Sequence, residues 1–156
     1  METVFSEPAL YKAGKYLTFR VARQDFVLNI NCVRGILPVH QLIPIESDYA
    51  NRIPISGFAA VGGLDFPVID LRAKLGIPHG SHGREPFIIV VETGGLWSGG
   101  RLAGFIADRV SDMLDLRPRD FRNGMLRTHG RPRRVLVPDR IMNEEDWSAF
   151  ALDLRD

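Results

Sequence analysis

Residues 57–76 read GFAAVGGLDFPVIDLRAKLG, and the fold follows from them outward. Gly57, Gly62 and Gly63 admit positive φ and close backbone approach, which predicts tight turns between short strands. Phe66-Pro67-Val68-Ile69 is long enough for one strand. Pro67 lacks an amide proton, so this strand is expected at a sheet edge or to begin at the proline. Asp70 then caps a short helix: its carboxylate can accept a free N–H of the first turn, and its charge suits the positive helix end. Leu71 and Leu75 are four apart and share a face. Gly76 fits just past the helix end, with Pro78 beyond it as a stop. Cap and surface charge account for Asp70 and Arg72 without any catalytic role. The expectation is hairpin, edge strand and one short helix.

Toward the N-terminus, Leu17, Phe19 and Val21 alternate with Tyr16, Thr18 and Arg20, a period of two with one buried and one wet face. Phe26, Leu28 and Ile30 repeat the pattern after the polar Arg23-Gln24-Asp25, which predicts a β-hairpin. Residues 1–14 have no period and read as a flexible lead-in outside the core, so the domain is placed at 15–156. Residues 32–37 are a third strand. Pro38, Pro44 and Pro54 punctuate residues 38–56, a long connection whose apolar side chains pack on the rest. Residues 77–86 form a lobe boundary or loop, and 93–100 a hairpin loop with Trp97 at its tip, read as a lid on its own lobe. Between them Phe87–Val91 is a strand buried on both faces, with Leu102–Ala107 as its partner. Asp108 and Arg109 read as a surface ion pair. Residues 143–154 fit a helix or a strand.

Composition narrows the function. A chain of 156 residues with 45% hydrophobic content has material for one core. A net charge of +1 gives no general pull toward nucleic acid or acidic membranes. Cys32 is the sole cysteine, so no intrachain disulfide forms; its apolar setting fits a small buried residue. No signal peptide and no span of ~20 apolar residues is seen, and a soluble cytoplasmic protein is expected. His40, His79, His82 and His129 are scattered, with no nucleophile elbow, phosphate loop or ligand spacing beside them. No catalytic residue, cofactor or metal is therefore expected. Residues 117–140 carry eight arginines against two aspartates, a net local charge of +6, and residues 144–156 are acidic. The two regions either answer each other within the fold or steer a partner. A single-strand nucleic-acid platform is poorly supported, with only Phe121 among the arginines.

Pro67-Val68-Ile69-Asp70-Leu71-Arg72, ten residues after Gly57, resembles the signature of the CheW-like domain, found in bacterial chemotaxis coupling proteins and in the regulatory domain of the chemotaxis histidine kinase. Tyr16 to Arg20 resembles the family's first strand, Val33-Arg34-Gly35-Ile36-Leu37 its Val-Arg-Glu-Ile segment, and Gly104 to Val110 its Gly-x-x-Val-Asp-x-Val segment. The resemblance implies a mainly β fold of two small SH3-like five-stranded barrel lobes sharing a core, with one or two short helices. It implies a non-enzymatic adaptor whose partners are a chemoreceptor signalling domain and the kinase's regulatory domain, with membranes reached only through receptors. Two charged family positions are Gly35 and Gly62 here. The alternative is therefore a diverged module serving another signalling pathway, or a homodimer using the same surfaces. An adaptor contacts its partner through exposed apolar side chains beside bare glycine backbone, and Val33, Ile36, Gly62 and Gly63 are the candidate contact residues. Gly57, Pro67, Asp70, Leu71 and Arg72 are candidates for a structural role.

Overall fold

The computed structural model describes residues 11–45, 55–77, 85–93, 101–142 and 147. Its first element is the expected hairpin, β1 (Gly14–Val21) against β2 (Gln24–Asn29). The turn is tighter than the polar run suggested. Ala22 and Arg23 alone make it, at φ 49° and 71°. Left-handed backbone costs such residues ~1–2 kcal/mol each. The Asp108 carboxylate offsets part of this by accepting the Ala22 N–H at 2.7 Å. Asp108 is thus a clamp on the turn, not half of the expected ion pair with exposed Arg109.

The wet face of this hairpin is not wet. Leu17, Phe19, Val21, Phe26 and Leu28 join the main core, as their period predicts. Tyr16 and Val27, on the other face, are also buried, in a second cluster with Tyr11, Leu116, Phe121 and Leu126. Tyr11 stacks on Phe121 at 4.9 Å between ring centroids, so the core takes in a residue of the expected lead-in. Alternation reports one covered face; a sheet that curls over its second face hides the other.

After β3 (Val33–Pro38) come β4 (Ile43–Pro44), β5 (Ile55–Val61), β6 (Leu64–Ile69), helix α1 (Leu71–Leu75), β7 (Phe87–Thr93) and β8 (Arg101–Ala107). β9 (Arg109–Leu116), β10 (Phe121–Arg122), β11 (Met125–Leu126), β12 (Arg133–Val135) and helix α2 (Pro138–Ile141) follow. Among the described residues they form two six-stranded sheets, ordered β10-β11-β12-β2-β1-β9 and β3-β7-β8-β6-β5-β4. Three of the members, β4, β10 and β11, are only two residues long. The chain leaves the first sheet between β2 and β3 and returns to it at Asp108, the single residue linking β8 to β9.

β7 is buried on both faces, as its apolar run predicts. Ile88 and Val90 enter a cluster of the second sheet with Ala59, Phe66, Val68 and Ile106. Ile89 and Val91 enter the main core, which also takes Phe19 and Phe26 from the first sheet. Each sheet therefore has its own cluster and shares the largest one. β6 departs from expectation: it begins at Leu64 and lies between β5 and β8 rather than at an edge. Its ladder with β8 starts at Val68, one residue past Pro67, so the missing N–H falls at the end of that ladder.

The turn from Arg117 to Thr128 is tied together at Asp120. Its carboxylate accepts the Arg117 N–H at 2.7 Å and the Thr128 hydroxyl at 3.0 Å, and the first of these bonds chiefly holds its carboxyl below the ordinary aspartate range. The unfolded chain then binds this proton more readily than the folded one. Stability from Asp120 is present above the ordinary value, about 3.9, and is lost as pH falls through the lower folded value. Urea unfolding of wild type and Asp120→Asn, measured from pH 6 to pH 2, should show a shallower acid loss in the variant. Parallel pH curves would remove Asp120 from the acid response.

Candidate interaction surface

The segment most suggestive of a site proves to be structural. Asp70 is the N-cap of α1 and accepts the Arg72 N–H at 3.0 Å. Arg72 closes back on the same carboxylate through Nε and Nη2, each at 3.1 Å, with both side chains mostly buried. Such a two-pronged pair fixes the guanidinium as well as the helix entry. Leu71 is fully buried, and the last turn ends at Gly76 in the left-handed conformation. Gly57 is not a turn residue. It sits within β5 where its paired neighbour β4 approaches closely, and an added Cβ would collide with the Ile43 carbonyl.

The four candidate contact residues fall in two places. Val33 and Ile36 lie on β3, an edge strand of the second sheet; Gly62 and Gly63 form the β5–β6 turn. Strands β7, β8 and β6 stand between β3 and β5 in the ladder, so hydrogen bonding does not unite the two pairs. Val33 is half-buried against the main core, whereas Ile36 is 43% exposed. Arg34 between them is tied down: Nε donates to Glu92 Oε1 at 2.8 Å and Nη1 to the Asn31 carbonyl at 2.8 Å. Gly62 and Gly63 have φ 58° and 81°, a two-residue turn of the kind that matches strand twist and favours Gly-Gly.

Sequence reasoning missed the side chains that flank this turn. Val61 and Leu64 face each other across it and are exposed, Leu64 by 62%. Ile43 on β4 is also exposed. Ile43 belongs to the connection whose apolar side chains are expected to pack on the rest, yet it stands exposed. Val61 and Leu64 are revealed by the hairpin, whose tip carries them past the packed part of the sheet. An added Cβ at Gly35 meets nothing within 4 Å, so that position of β3 presents bare backbone.

Cys32 is partly buried against the main core, and burial pushes its thiol up, away from the thiolate a nucleophile needs. Among the described residues no three His, Cys, Asp or Glu side chains gather as a metal site, and no helix is long and apolar enough to cross a membrane. Most arginines of residues 117–140 are exposed, and Arg131 is the one with an ion pair to a described residue, Asp25 at 3.4 Å. Trp147 packs against the main core with the Arg101 guanidinium 4.5 Å from its ring centre. Trp97, and the helix-or-strand question for the rest of 143–156, lie outside the described residues.

Comparison with known proteins adds two findings. The family model for the CheW-like domain matches residues 15–146. The crystal structure of the scaffolding protein TtCheW from Thermoanaerobacter tengcongensis is similar in fold, with a TM-score of 0.70 at 20% sequence identity; the match covers 86% of this chain and 90% of that one. No curated protein matches the sequence.

Proposed function

The chain belongs to the CheW-like domain family, and from that premise we propose that it is a non-enzymatic chemotaxis adaptor that scaffolds a chemoreceptor signalling domain and a histidine kinase. It works in the cytoplasm and reaches a membrane only through the receptor. The observation that carries this reading is the family match over most of the chain, with Ile36 standing exposed on an open sheet edge. An isoleucine there gains little from folding and can gain from a partner's apolar surface. A second contact, at the Gly62-Gly63 turn with Val61 and Leu64, is separate in the ladder and suits another surface of the complex.

Scaffolding of this kind requires no chemistry. Binding two proteins at separate surfaces raises the effective concentration of each for the other. A signal passes only if the adaptor's affinity differs between two states of a partner. Ile36→Asp tests the contact. The charge lands on an exposed position, where substitutions usually move stability by less than about 0.5 kcal/mol. The melting temperature should shift by less than about 2 °C. Co-sedimentation with the receptor tip and the kinase should weaken by at least about tenfold, the scale of one lost interface anchor. Undiminished co-sedimentation at equal melting temperature would remove Ile36 from the interface.

A further inference from the structure

The eight arginines of residues 117–140 are not a uniform solvated face. The register places Arg122, Met125 and Arg134 side by side across β10, β11 and β12, with Arg134 next to the buried Phe26 of β2. Paired residues of neighbouring strands share a face. The row therefore runs Arg122, Met125, Arg134 and then Phe26 of the core, and Arg140 and Ile141 of α2 line the same cleft as Met125 and Arg134. Between them lies a cleft of about 410 Å³ with Leu75, Met125, Leu136 and Ile141 among its walls. Arg134 and Arg140 are the charged residues of its lining, and neither is paired with a described residue.

We infer that this cleft binds an acidic, aliphatic segment of a partner protein, its carboxylate held by Arg134 and Arg140 and its aliphatic side chain seated on Leu75, Met125 and Ile141. The argument is charge complementarity over an apolar floor. A guanidinium binds a carboxylate through two parallel hydrogen bonds. Both line one cleft, and the described residues of its lining include no acid to answer them, which makes the cleft a site for an anion. The recessed floor adds a requirement that the anion have an apolar neighbour. A nucleic-acid strand fits less well, because the aromatic ring in the lining, Tyr11, is buried and already stacked on Phe121. A bilayer fits less well, because among the described residues the exposed large apolar side chains, such as Leu64 and Met113, are not in the cleft lining with these arginines.

The inference rests on the cleft and not on the adaptor reading. Its test is fluorescence anisotropy of the full chain with a fluorescein-labelled peptide of alternating glutamate and leucine. The expected result is tighter binding of this peptide than of an all-glutamate one. Arg134→Glu with Arg140→Glu should weaken it at least about tenfold, as loss of a two-pronged charged contact implies. Arg119→Glu with Arg127→Glu, outside the cleft, should leave it within about twofold. Melting curves confirm folding, and glutamine replaces glutamate in the variants if they do not fold. Ile36→Asp should bind the peptide as wild type does, so failure of the receptor contact leaves this result standing. No binding, equal binding of the all-glutamate peptide, or equal loss in both double variants would overturn the inference. So would tighter binding to a thymidine oligonucleotide or to phosphatidylglycerol vesicles.

Discussion

Gly57→Val is expected to destabilise the protein by about 2–3 kcal/mol, lowering its melting temperature by roughly 5–10 °C. The sequence alone would favour the opposite, since valine is a better strand residue than glycine. The reason is the close approach of β4, the paired neighbour of β5, at this residue. A Cβ at residue 57 would collide with the Ile43 carbonyl oxygen and lie 2.9 Å from both the Ile43 carbonyl carbon and the Pro44 Cα. These are backbone atoms, and no rotamer change moves them aside. The two strands must separate, with loss of the Ile43–Phe58 and Pro44–Gly57 pairing. Gly35→Val is the control: its Cβ meets nothing within 4 Å, and its melting temperature should stay within about 2 °C of wild type. Equal melting of the two variants would show that β4 does not press on β5.

Gly57 also marks where sequence reading ends. Its neighbours Gly62 and Gly63 were legible as a turn because a turn is a local event. Gly57 answers to Ile43, fourteen positions earlier, and nothing near it in the chain records that contact. The same division runs through the fold. Asp70 as cap, Gly76 as helix end and the two-faced burial of β7 are legible, since capping and apolar runs act over a few residues. Pro67 misleads, because its edge-strand expectation assumes a ladder along the whole strand, and the β8 ladder covers only Val68 and Ile69. The second face of the first hairpin misleads likewise. Tyr16 and Val27 are covered by Phe121 and Leu126, a hundred residues away in sequence.

Of the candidate contact residues, Ile36, Gly62 and Gly63 are where a partner can reach them, and Val33 faces inward. The charge asymmetry was visible, but not the cleft. Arg122, Arg134 and Arg140 look alike in sequence to Arg119 and Arg127. Strand register sets Arg122 and Arg134 in one row, and the fold brings Arg134 and Arg140 into one cleft lining; local pattern holds neither fact.

Phe105→Ala should have the largest effect of any substitution considered, a loss of about 3–5 kcal/mol. Phe105 is fully buried on β8, paired with Ile89 on one side and Ile69 on the other, and all three belong to the main core. Against a total stability of about 5–15 kcal/mol, this removes a large fraction. The more telling expectation concerns where the loss appears. The main core takes side chains from both sheets, and β8 continues through Asp108 into β9 of the other sheet. A cavity at Phe105 therefore loosens both lobes. Native-state hydrogen exchange should show the slowest amides of β1 and β2 losing as much protection as those of β7 and β8. Loss confined to β7 and β8 would make the lobes independent cooperative units. The distinction bears on function. An adaptor holds two partners in a fixed relation only if the surfaces that bind them belong to one body. Ile36 lies on the second sheet and Arg134 on the first, and equal loss of protection in both sheets is the result that would join them through Phe105 and its neighbours.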